Sequence, residues 1–206
     1  MLTLIKSSFI EYKLTILRNK KTSNSKFRQT MNEISYLIAA EVLKHMKFKK
    51  LLIKTPLSNF NGNILSVPIV IVPILRAGLG LVEGFVKLLP NAEKGHIGLY
   101  RDEQTYKPVE YLFKLPKTKN KLILVLDPML ATGNSSKEAI KLIKGLGVSA
   151  SQIKLVSLLA APEGIKNFRK AHKNLHLFTC SIDKALNKNK FIVPGLGDAG
   201  DRYMGT

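Results

Sequence analysis

Short apolar runs alternate with longer segments of helical periodicity along this chain. Leu122–Leu126 is an unbroken apolar run, a pattern typical of a parallel strand buried on both sides. Over residues 27–45, apolar residues recur every three or four positions and predict an amphipathic helix. Alternating strands and helices predict an α/β fold with a central, mostly parallel sheet flanked by helices. Further strands are predicted at residues 50–55, 67–73, 96–101, 109–115, 152–160 and 175–181, with helices ending near residues 89, 146 and 171.

Two segments predict projections from this core. Residues 1–24 are basic and lack a regular pattern, so we expect an irregular N-terminal arm before the long helix, with Ser23 or Ser25 as its N-cap. Asn61-Gly62 is a strong tight-turn signal, and residues 56–66 are expected to form a small hairpin or projecting arm. The 206 residues suit one domain over the whole chain.

The net charge of +19 raises the question of a nucleic-acid surface. The 27 lysines greatly outnumber the six arginines, occur in every segment, and are not interleaved with aromatic residues as a stacking platform requires. We therefore predict a solvated exterior and no specific nucleic-acid partner. No apolar run approaches a membrane span, no signal-peptide cleavage site is present, and Cys180 has no internal disulfide partner, so a reduced, cytoplasmic protein without a membrane segment is expected.

The candidate chemistry is densest after the Leu122–Leu126 run. Asp127 ends the predicted strand, residues 131–136 are small or carry hydroxyls, and a helix follows. This order presents backbone N–H groups and a positive dipole end to an anion. The carboxylate beside that site can accept hydrogen bonds from a sugar diol. The loop lacks the Gly-Lys pair of a P-loop, so the prediction is a phosphorylated sugar or a nucleotide bound by a different motif.

Two further segments carry candidate binding residues. Arg76 is a lone arginine in a glycine-rich turn at the end of a predicted strand, where α/β sheets hold ligands. In the C-terminal tail, Gly195, Gly197 and Gly200 have the spacing of a dinucleotide fingerprint. Only six residues follow, so we predict no helix or βαβ unit there. The glycines are expected to let the backbone approach something flat and small.

These motifs resemble those of the uracil phosphoribosyltransferases, members of the type I phosphoribosyltransferase family. D-P-M-L-A-T-G-N-S at residues 127–135 is similar to their ribose-phosphate signature, and P-I-L-R-A-G-L-G at 73–80 to their diphosphate loop. L-Y-R-D-E-Q-T at 99–105 resembles the start of their lid, and V-P-G-L-G-D-A-G-D-R at 193–202 their base-binding loop. Similar N-terminal patterns, K-L-T-I-L-R and T-S-N-S-K-F-R, extend the resemblance over nearly the whole chain.

The resemblance implies the type I phosphoribosyltransferase fold, with a flexible hairpin lid, and conversion of uracil and 5-phosphoribosyl 1-diphosphate (PRPP) to UMP and diphosphate. It implies catalytic roles for Arg76, Arg101 and Asp198 and a base-binding loop over residues 191–206. The implied PRPP-binding residues are Arg76, Arg101, Asp127, Pro128, Met129, Leu130, Ala131, Thr132, Gly133, Asn134, Ser135 and Asp198, and the implied uracil-binding residues are Ile192, Gly197, Asp198 and Ala199.

Mg²⁺ is expected to arrive as the Mg–PRPP complex, because the sequence offers no well-placed protein cluster for a metal. Related enzymes often hold the diphosphate loop with a non-proline cis peptide bond, so unusual backbone is predicted between Leu75 and Gly78, at Arg76–Ala77. The expected partners are uracil, PRPP and further copies of the chain, with GTP as a candidate effector because it activates some family members.

Two alternatives stand beside this interpretation. The first is an RNA-binding regulator of pyrimidine genes built on the same fold, which would carry an arginine-rich face and lack the base-binding tail. The second is an enzyme of the fold that acts on a purine, which would carry the paired acids that Pro128 interrupts.

Overall fold

The computed structural model describes residues 1–102 and 108–206, apart from the side chain of Arg101. In chain order its elements are β1 (Leu2–Leu4), α1 (Ser8–Arg18), α2 (Asn24–Leu43), β2 (Phe48–Lys54), β3 (Asn59–Leu65), β4 (Ile69–Leu75), α3 (Leu79–Leu88), β5 (Glu93–Lys94), β6 (His96–Arg101), β7 (Pro108–Lys114), β8 (Leu122–Leu126), β9 (Met129–Leu130), α4 (Asn134–Gly145), a 3₁₀ turn (Ala150–Gln152), β10 (Ile153–Val156), β11 (Leu159–Ala160), α5 (Pro162–Ala171), β12 (His176–Thr179), β13 (Ser181–Ile182), β14 (Ala185–Leu186), β15 (Ile192–Val193) and α6 (Ala199–Met204).

An eight-stranded sheet forms the centre of the molecule. Its order is β1-β12-β10-β8-β4-β6-β7, and β5 pairs with β4 beside that path. Every pairing is parallel except the β6–β7 hairpin. β8 lies between β10 and β4, as its apolar run predicts, and Ile123 to Leu126 are fully buried. The predicted fold class is confirmed.

Helices cover both faces of the sheet, because successive strand residues point to opposite sides. On one face, Phe27 of α2 and Phe85 of α3 share a core with Ile71 of β4. On the other, Ile140 of α4 packs in a second core with Val70. None of the helices in the two described ranges is long and apolar enough to cross a membrane.

The helices α2 and α3 cross closely at Gly84. The Gly84 amide donates a hydrogen bond to Ser35 Oγ at 2.8 Å, in a fully buried contact. A β-carbon at position 84 would lie 2.2 Å from the carbonyl carbon of Ser35, so only glycine fits there. This glycine therefore serves the packing of two helices.

The prediction of an irregular segment over residues 1–24 is wrong. β1 adds a parallel edge strand beside β12, and α1 buries Ile10, Leu14 and Leu17. The spacing of these residues is helical, but lysines and polar residues among them obscure the pattern over only three turns. The predicted cap of α2 is confirmed at Ser23, whose side chain accepts a hydrogen bond from the Lys26 amide.

A hairpin exists in this region, but the prediction that residues 56–66 form it alone, with its turn at Asn61-Gly62, is wrong. β2 and β3 pair antiparallel, and Asn61-Gly62 lies inside β3, opposite Leu51 and Leu52. The chain turns at residues 55–58 instead, where Thr55 Oγ1 accepts a hydrogen bond from the Ser58 amide at 2.9 Å. Pairing along the full strand length has overridden the local turn preference. The hairpin exposes a row of apolar side chains, namely Phe48, Leu51, Leu52, Ile53, Phe60 and Ile64.

Two of the predicted long strands are each divided in two. Residues 152–160 form β10 and β11, and residues 175–181 contribute to β12 and β13. The second halves join β9 in a separate parallel sheet ordered β13-β11-β9. This small sheet continues past the carboxyl ends of the main strands and supports the segment after Asp127.

Candidate active site

Three adjoining cavities open at the carboxyl ends of β4 and β8. The phosphate-loop cavity, about 160 Å³, is lined by residues 131–136 together with Asp127. The tail cavity, about 210 Å³, is lined by residues 189–192 and 197–200. The central cavity, about 400 Å³, lies against Arg76 and the end of β4. Asp127 lines the first and third cavities and Asp198 the second and third, so the three adjoin along shared walls and are together called the cleft.

The phosphate-loop cavity is built on the start of α4. Asn134 and Ser135, in the first turn of that helix, line the cavity, where the backbone N–H groups of a helix start and the helix dipole favour an anion. Asn167 of α5 supports the loop: its Nδ2 donates to the Thr132 carbonyl at 2.7 Å and to Asn134 Oδ1 at 2.9 Å. The loop is therefore fixed from behind by a second helix.

Asp127 lies buried at the floor of the cleft. Ser136 Oγ donates a hydrogen bond to Asp127 Oδ2 at 2.6 Å, and the Met129 amide donates to Oδ1 at 3.4 Å. Burial raises the pKa of Asp127, and these two hydrogen bonds oppose that rise. The Ser136 contact fixes one carboxylate oxygen. Its role beside Asp127 was not predicted from the sequence.

The loop after β4 brings Arg76 to the central cavity. The peptide bond between Leu75 and Arg76 is cis, so the unusual backbone predicted between Leu75 and Gly78 is confirmed, one bond earlier than Arg76–Ala77. Arg76 Nη2 donates a hydrogen bond to Asp201 Oδ1 at 2.8 Å. This partner, from the other end of the chain, was also missed in the sequence.

Arg101 can be located only by its backbone. It ends β6, opposite Pro108 at the start of β7, so the predicted hairpin is confirmed. Its side chain and residues 103–107, which include most of the predicted lid, lie outside the described part of the chain. The pairing of Arg101 with Arg76 around one ligand stays a prediction, as does the mobility of the lid.

The four predicted base-contacting residues lie together. Ile192, Gly197, Asp198 and Ala199 all line the tail cavity. The prediction that no helix forms in the tail is wrong, because α6 occupies residues 199–204. Asp198 caps this short helix: its Oδ1 accepts a hydrogen bond from the Asp201 amide at 3.0 Å. The six residues of α6 make little more than one and a half helical turns, so a helix this short fits in the tail once Asp198 caps it.

Arginine contacts that were not predicted hold the tail in place. Arg18 of α1 makes a bidentate ion pair with Asp183, at 2.6 Å for each oxygen, and donates to the Gly195 carbonyl at 2.8 Å. Arg202 donates to the carbonyls of Leu17 and Leu196. Its guanidinium lies 4.4 Å from the centre of the Phe27 ring. The scarcity of arginine in a lysine-rich chain is the sequence signal that points to such roles.

Two predicted PRPP-binding residues do not reach the cleft surface. Leu130 is fully buried in the core, and the Pro128 carbonyl accepts hydrogen bonds from the Leu158 and Leu159 amides at 3.0 and 2.9 Å. Neither is among the described residues that line the three cavities. Contact of these two residues with PRPP stays a prediction, and their observed positions support the floor of the loop.

Comparison with known proteins gives a consistent family. The family model for uracil phosphoribosyltransferase matches residues 4–206. The uracil phosphoribosyltransferase of Fervidobacterium nodosum is 47% identical over 208 residues, covering 100% of each chain. That of Rhizobium leguminosarum bv. trifolii is 50% identical over 206 residues, covering 99% of this chain and 98% of its own.

Solved structures agree on the fold. The AQ2163 protein from Aquifex aeolicus superposes with a TM-score of 0.92 at 36% identity, covering 98% of this chain and 97% of its own. A hypoxanthine-guanine phosphoribosyltransferase from Bacillus anthracis shares the fold alone, with a TM-score of 0.53 at 12% identity over 78% of this chain and 80% of its own. Since the family match spans almost the entire sequence, this chain belongs to the uracil phosphoribosyltransferase family.

Proposed function

We propose that the protein transfers the phosphoribosyl group of PRPP to uracil, giving UMP and diphosphate. The observation that carries this proposal is that a phosphate loop, an arginine and a small glycine-lined cavity adjoin one another in the cleft. In the reaction, N1 of uracil forms a bond to the anomeric carbon of the ribose. The bond from that carbon to the diphosphate oxygen breaks, the diphosphate leaves with the electron pair, and N1 loses its proton.

The ribose phosphate would lie over the start of α4. Backbone amides of residues 132–135 would donate to the 5′-phosphate, supported by the helix dipole. Asp127, at the border of the phosphate-loop and central cavities, would accept hydrogen bonds from the ribose hydroxyls. Because Ser136 fixes the carboxylate, the sugar would be held in one orientation, which lowers the entropic part of the barrier.

The diphosphate would occupy the central cavity beside Arg76. Bond breaking moves negative charge onto the leaving diphosphate as the ribose gains oxocarbenium character. A guanidinium held next to that position stabilises the transition state more than the ground state, which is the condition for catalysis. Arg101 would add a second cation, as the family resemblance implies. Neither arginine forms a covalent bond with the substrate.

Uracil would be recognised by the tail. Its edge offers an acceptor, a donor and an acceptor, which free backbone N–H and C=O groups can match. Gly197, with φ +81°, has the backbone freedom that this arrangement requires, and Ala199 and Ile192 provide apolar walls. Asp198 lines both the tail and the central cavity, so it would orient the two substrates toward each other.

Mg²⁺ would enter as part of the PRPP complex. In the described ranges, no group of three histidine, cysteine or acidic residues is arranged to hold a metal. Asp127 and Asp198 nevertheless line the central cavity together, and Mg²⁺ is commonly held by one or two carboxylates with substrate phosphates. The ion would offset negative charge on the diphosphate, and the carboxylates of Asp127 and Asp198 would orient the Mg–PRPP complex.

The proposal also covers the oligomeric state, the cellular location and an effector.

The apolar side chains exposed on the β2–β3 hairpin, including Phe48, Leu52 and Phe60, suit contacts between copies of the chain in a homo-oligomer. A cytoplasmic location is also part of the proposal, since Cys180, the single cysteine of the sequence, is a free buried thiol. GTP is proposed as an effector, measurable as a change in turnover when it is added at saturating uracil and PRPP.

Product analysis tests the reaction. Purified protein incubated with uracil, PRPP and Mg²⁺ should form UMP and diphosphate in equal amounts, and omission of Mg²⁺ should suppress both. Asp127→Asn keeps the size of the side chain but replaces one carboxylate oxygen with an amide NH₂ group. It should lower the rate, because that group donates hydrogen bonds and cannot accept one from a ribose hydroxyl. The proposal would be contradicted by diphosphate release without UMP formation. It would also be contradicted if no product formed when uracil, PRPP and Mg²⁺ were all present.

A further inference from the structure

Lys190 lies at the junction of two cavities. It lies in the loop between β14 and β15, and its amide donates to the Asn187 carbonyl at 2.9 Å. The residue is exposed and lines both the phosphate-loop cavity and the tail cavity. A nucleotide with its phosphate in the first cavity and its base in the second would pass this side chain.

The backbone at Lys190 is unusual for a lysine. Its φ is +65°, in the left-handed region that glycine and asparagine favour. A lysine there is strained relative to glycine, because its β-carbon approaches the following carbonyl oxygen. The loop therefore holds a lysine beside both cavities in a backbone conformation that disfavours it.

A phosphate bound in the phosphate-loop cavity would require a nearby cation, and Lys190 can supply it. Among the described residues that line it, Asp127 supplies a carboxylate and Lys190 supplies the one cationic side chain. A 5′-phosphate carries close to two negative charges at neutral pH, and the carboxylate beside it opposes binding. Backbone amides offset part of that charge, and an ammonium at the cavity rim offsets more.

The Lys190 ammonium is also available. In the described ranges it forms no ion pair or side-chain hydrogen bond. Glu163 is close enough for Lys190 to contribute to the lowering of its pKa, but the main causes are backbone hydrogen bonds, including one from the Leu186 amide at 3.1 Å. The carboxylate is thus engaged with the backbone, and the ammonium can turn to a ligand.

We propose that Lys190 is a substrate-binding residue whose ammonium pairs with the 5′-phosphate of PRPP and of UMP. This inference rests on the proposed function, because it takes the nucleotide to span the two cavities. The tail cavity would hold a neutral base, so the phosphate is the part of the ligand that requires a cation.

Calorimetric titration of UMP, with uridine measured by competition against UMP, tests the pairing. Lys190→Asn keeps a residue that tolerates positive φ while removing the charge, and Lys190→Arg retains the charge. Lys188→Asn is the matched control, since Lys188 is an exposed lysine of the same loop and lines neither cavity. We expect Lys190→Asn to weaken UMP binding about tenfold, as the loss of one charge-assisted hydrogen bond predicts. Uridine binding should stay within about twofold, and Lys190→Arg and Lys188→Asn should bind UMP like the wild type.

Other results would overturn the inference. Unchanged UMP binding in Lys190→Asn would show that the ammonium is not used. Equal weakening of UMP and uridine would assign the effect to the base or the loop and not to the phosphate. If the wild type binds neither ligand, both this inference and the proposed function fail, whereas failure of the inference alone leaves wild-type UMP binding intact.

Discussion

Arg76 and Asp201 form an ion pair that joins the loop after β4 to α6, 125 positions further along the chain. The Arg76 Nη2 and Asp201 Oδ1 atoms are 2.8 Å apart, and the two side chains are 53% and 47% exposed. A pair this exposed adds at most about 1 kcal/mol to stability.

Removal of Arg76 should therefore affect catalysis far more than folding. Arg76→Ala should lower kcat/KM for PRPP. The loss of transition-state stabilisation should be about 2–4 kcal/mol, by analogy with loss of an oxyanion donor. Steady-state kinetics measure this loss. Arg169→Ala is the control, because Arg169 is exposed on α5 and lines none of the three cavities. Near-normal turnover in Arg76→Ala would contradict the assignment of the diphosphate to the central cavity.

Gly197→Val should abolish use of uracil while PRPP binding largely persists. A β-carbon at Gly197 has room, with Arg202 Cδ the nearest atom at 3.6 Å, but φ +81° excludes valine. The backbone must therefore change in the tail cavity, where we propose that uracil binds. Separate titrations of uracil and PRPP measure the two effects.

The control for Gly197 is Gly147→Val. Gly147 has φ +80° and nothing within 4 Å of its added β-carbon, so it imposes a similar backbone conflict away from the cleft. It should lower stability without a selective loss of uracil binding. If uracil and PRPP affinities fall together in Gly197→Val, the tail is a structural support and not the base pocket.

The sequence predicts the local geometry of the candidate site well, because contiguous residues determine it. Asp127 and residues 132–135 are contiguous, and a strand followed by a small-residue loop and a helix brings them together whatever the rest of the chain does. Arg76 can be identified from the sequence for the same reason, because it lies in a glycine-rich turn directly after a strand. Ser136 is adjacent to that motif, yet its contact with Asp127 depends on the rotation of α4, which the sequence pattern leaves open.

Long-range contacts are what the sequence could not supply. Asp201 is one of two aspartates in the tail motif, and nothing local assigns it to Arg76. The ion pair between Arg18 and Asp183 joins residues 165 positions apart. At Asn61-Gly62, local turn preference gave a wrong result because pairing with β2 decides the conformation.

Ser136→Ala should shift the acidic limb of the pH–rate profile. The Ser136 hydrogen bond lowers the pKa of Asp127 against the effect of burial, so its loss raises that pKa further. If the ionised carboxylate binds the ribose hydroxyls, kcat/KM for PRPP should begin to fall at a higher pH in the variant. Ser157→Ala is the control, since Ser157 is buried and its hydroxyl has no partner in the described ranges. An unshifted limb in Ser136→Ala would contradict the role of Asp127.

Stability at low pH should depend on Asp183. Burial alone would raise the pKa of Asp183, but hydrogen bonds from Arg18, Ser181 and the Gly195 amide together hold it below the ordinary value of 3.8. Its contribution is then complete above pH 3.8 and is lost as pH falls through the lower folded value. Asp183→Asn should cost about 3 kcal/mol near neutral pH, because Arg18 loses its partner, and the difference should shrink in acid.

Urea unfolding of wild type and Asp183→Asn at several pH values measures that difference. Asp201→Asn serves as the control, because its exposed ion pair should contribute at most about 1 kcal/mol. A stability difference for Asp183→Asn that stays constant into strong acid would show that the charge of this carboxylate is not what stabilises the fold.

The most direct test of the central claim, that this cleft joins PRPP to uracil through backbone recognition, is the ratio of kcat/KM values for uracil and cytosine at saturating Mg–PRPP. Cytosine presents an amine donor where uracil presents an acceptor, which leaves a buried backbone group mispaired. We predict UMP formation from uracil and a kcat/KM for cytosine lower by roughly 10⁴-fold. Comparable rates for the two bases, or preferential use of a purine, would contradict the account.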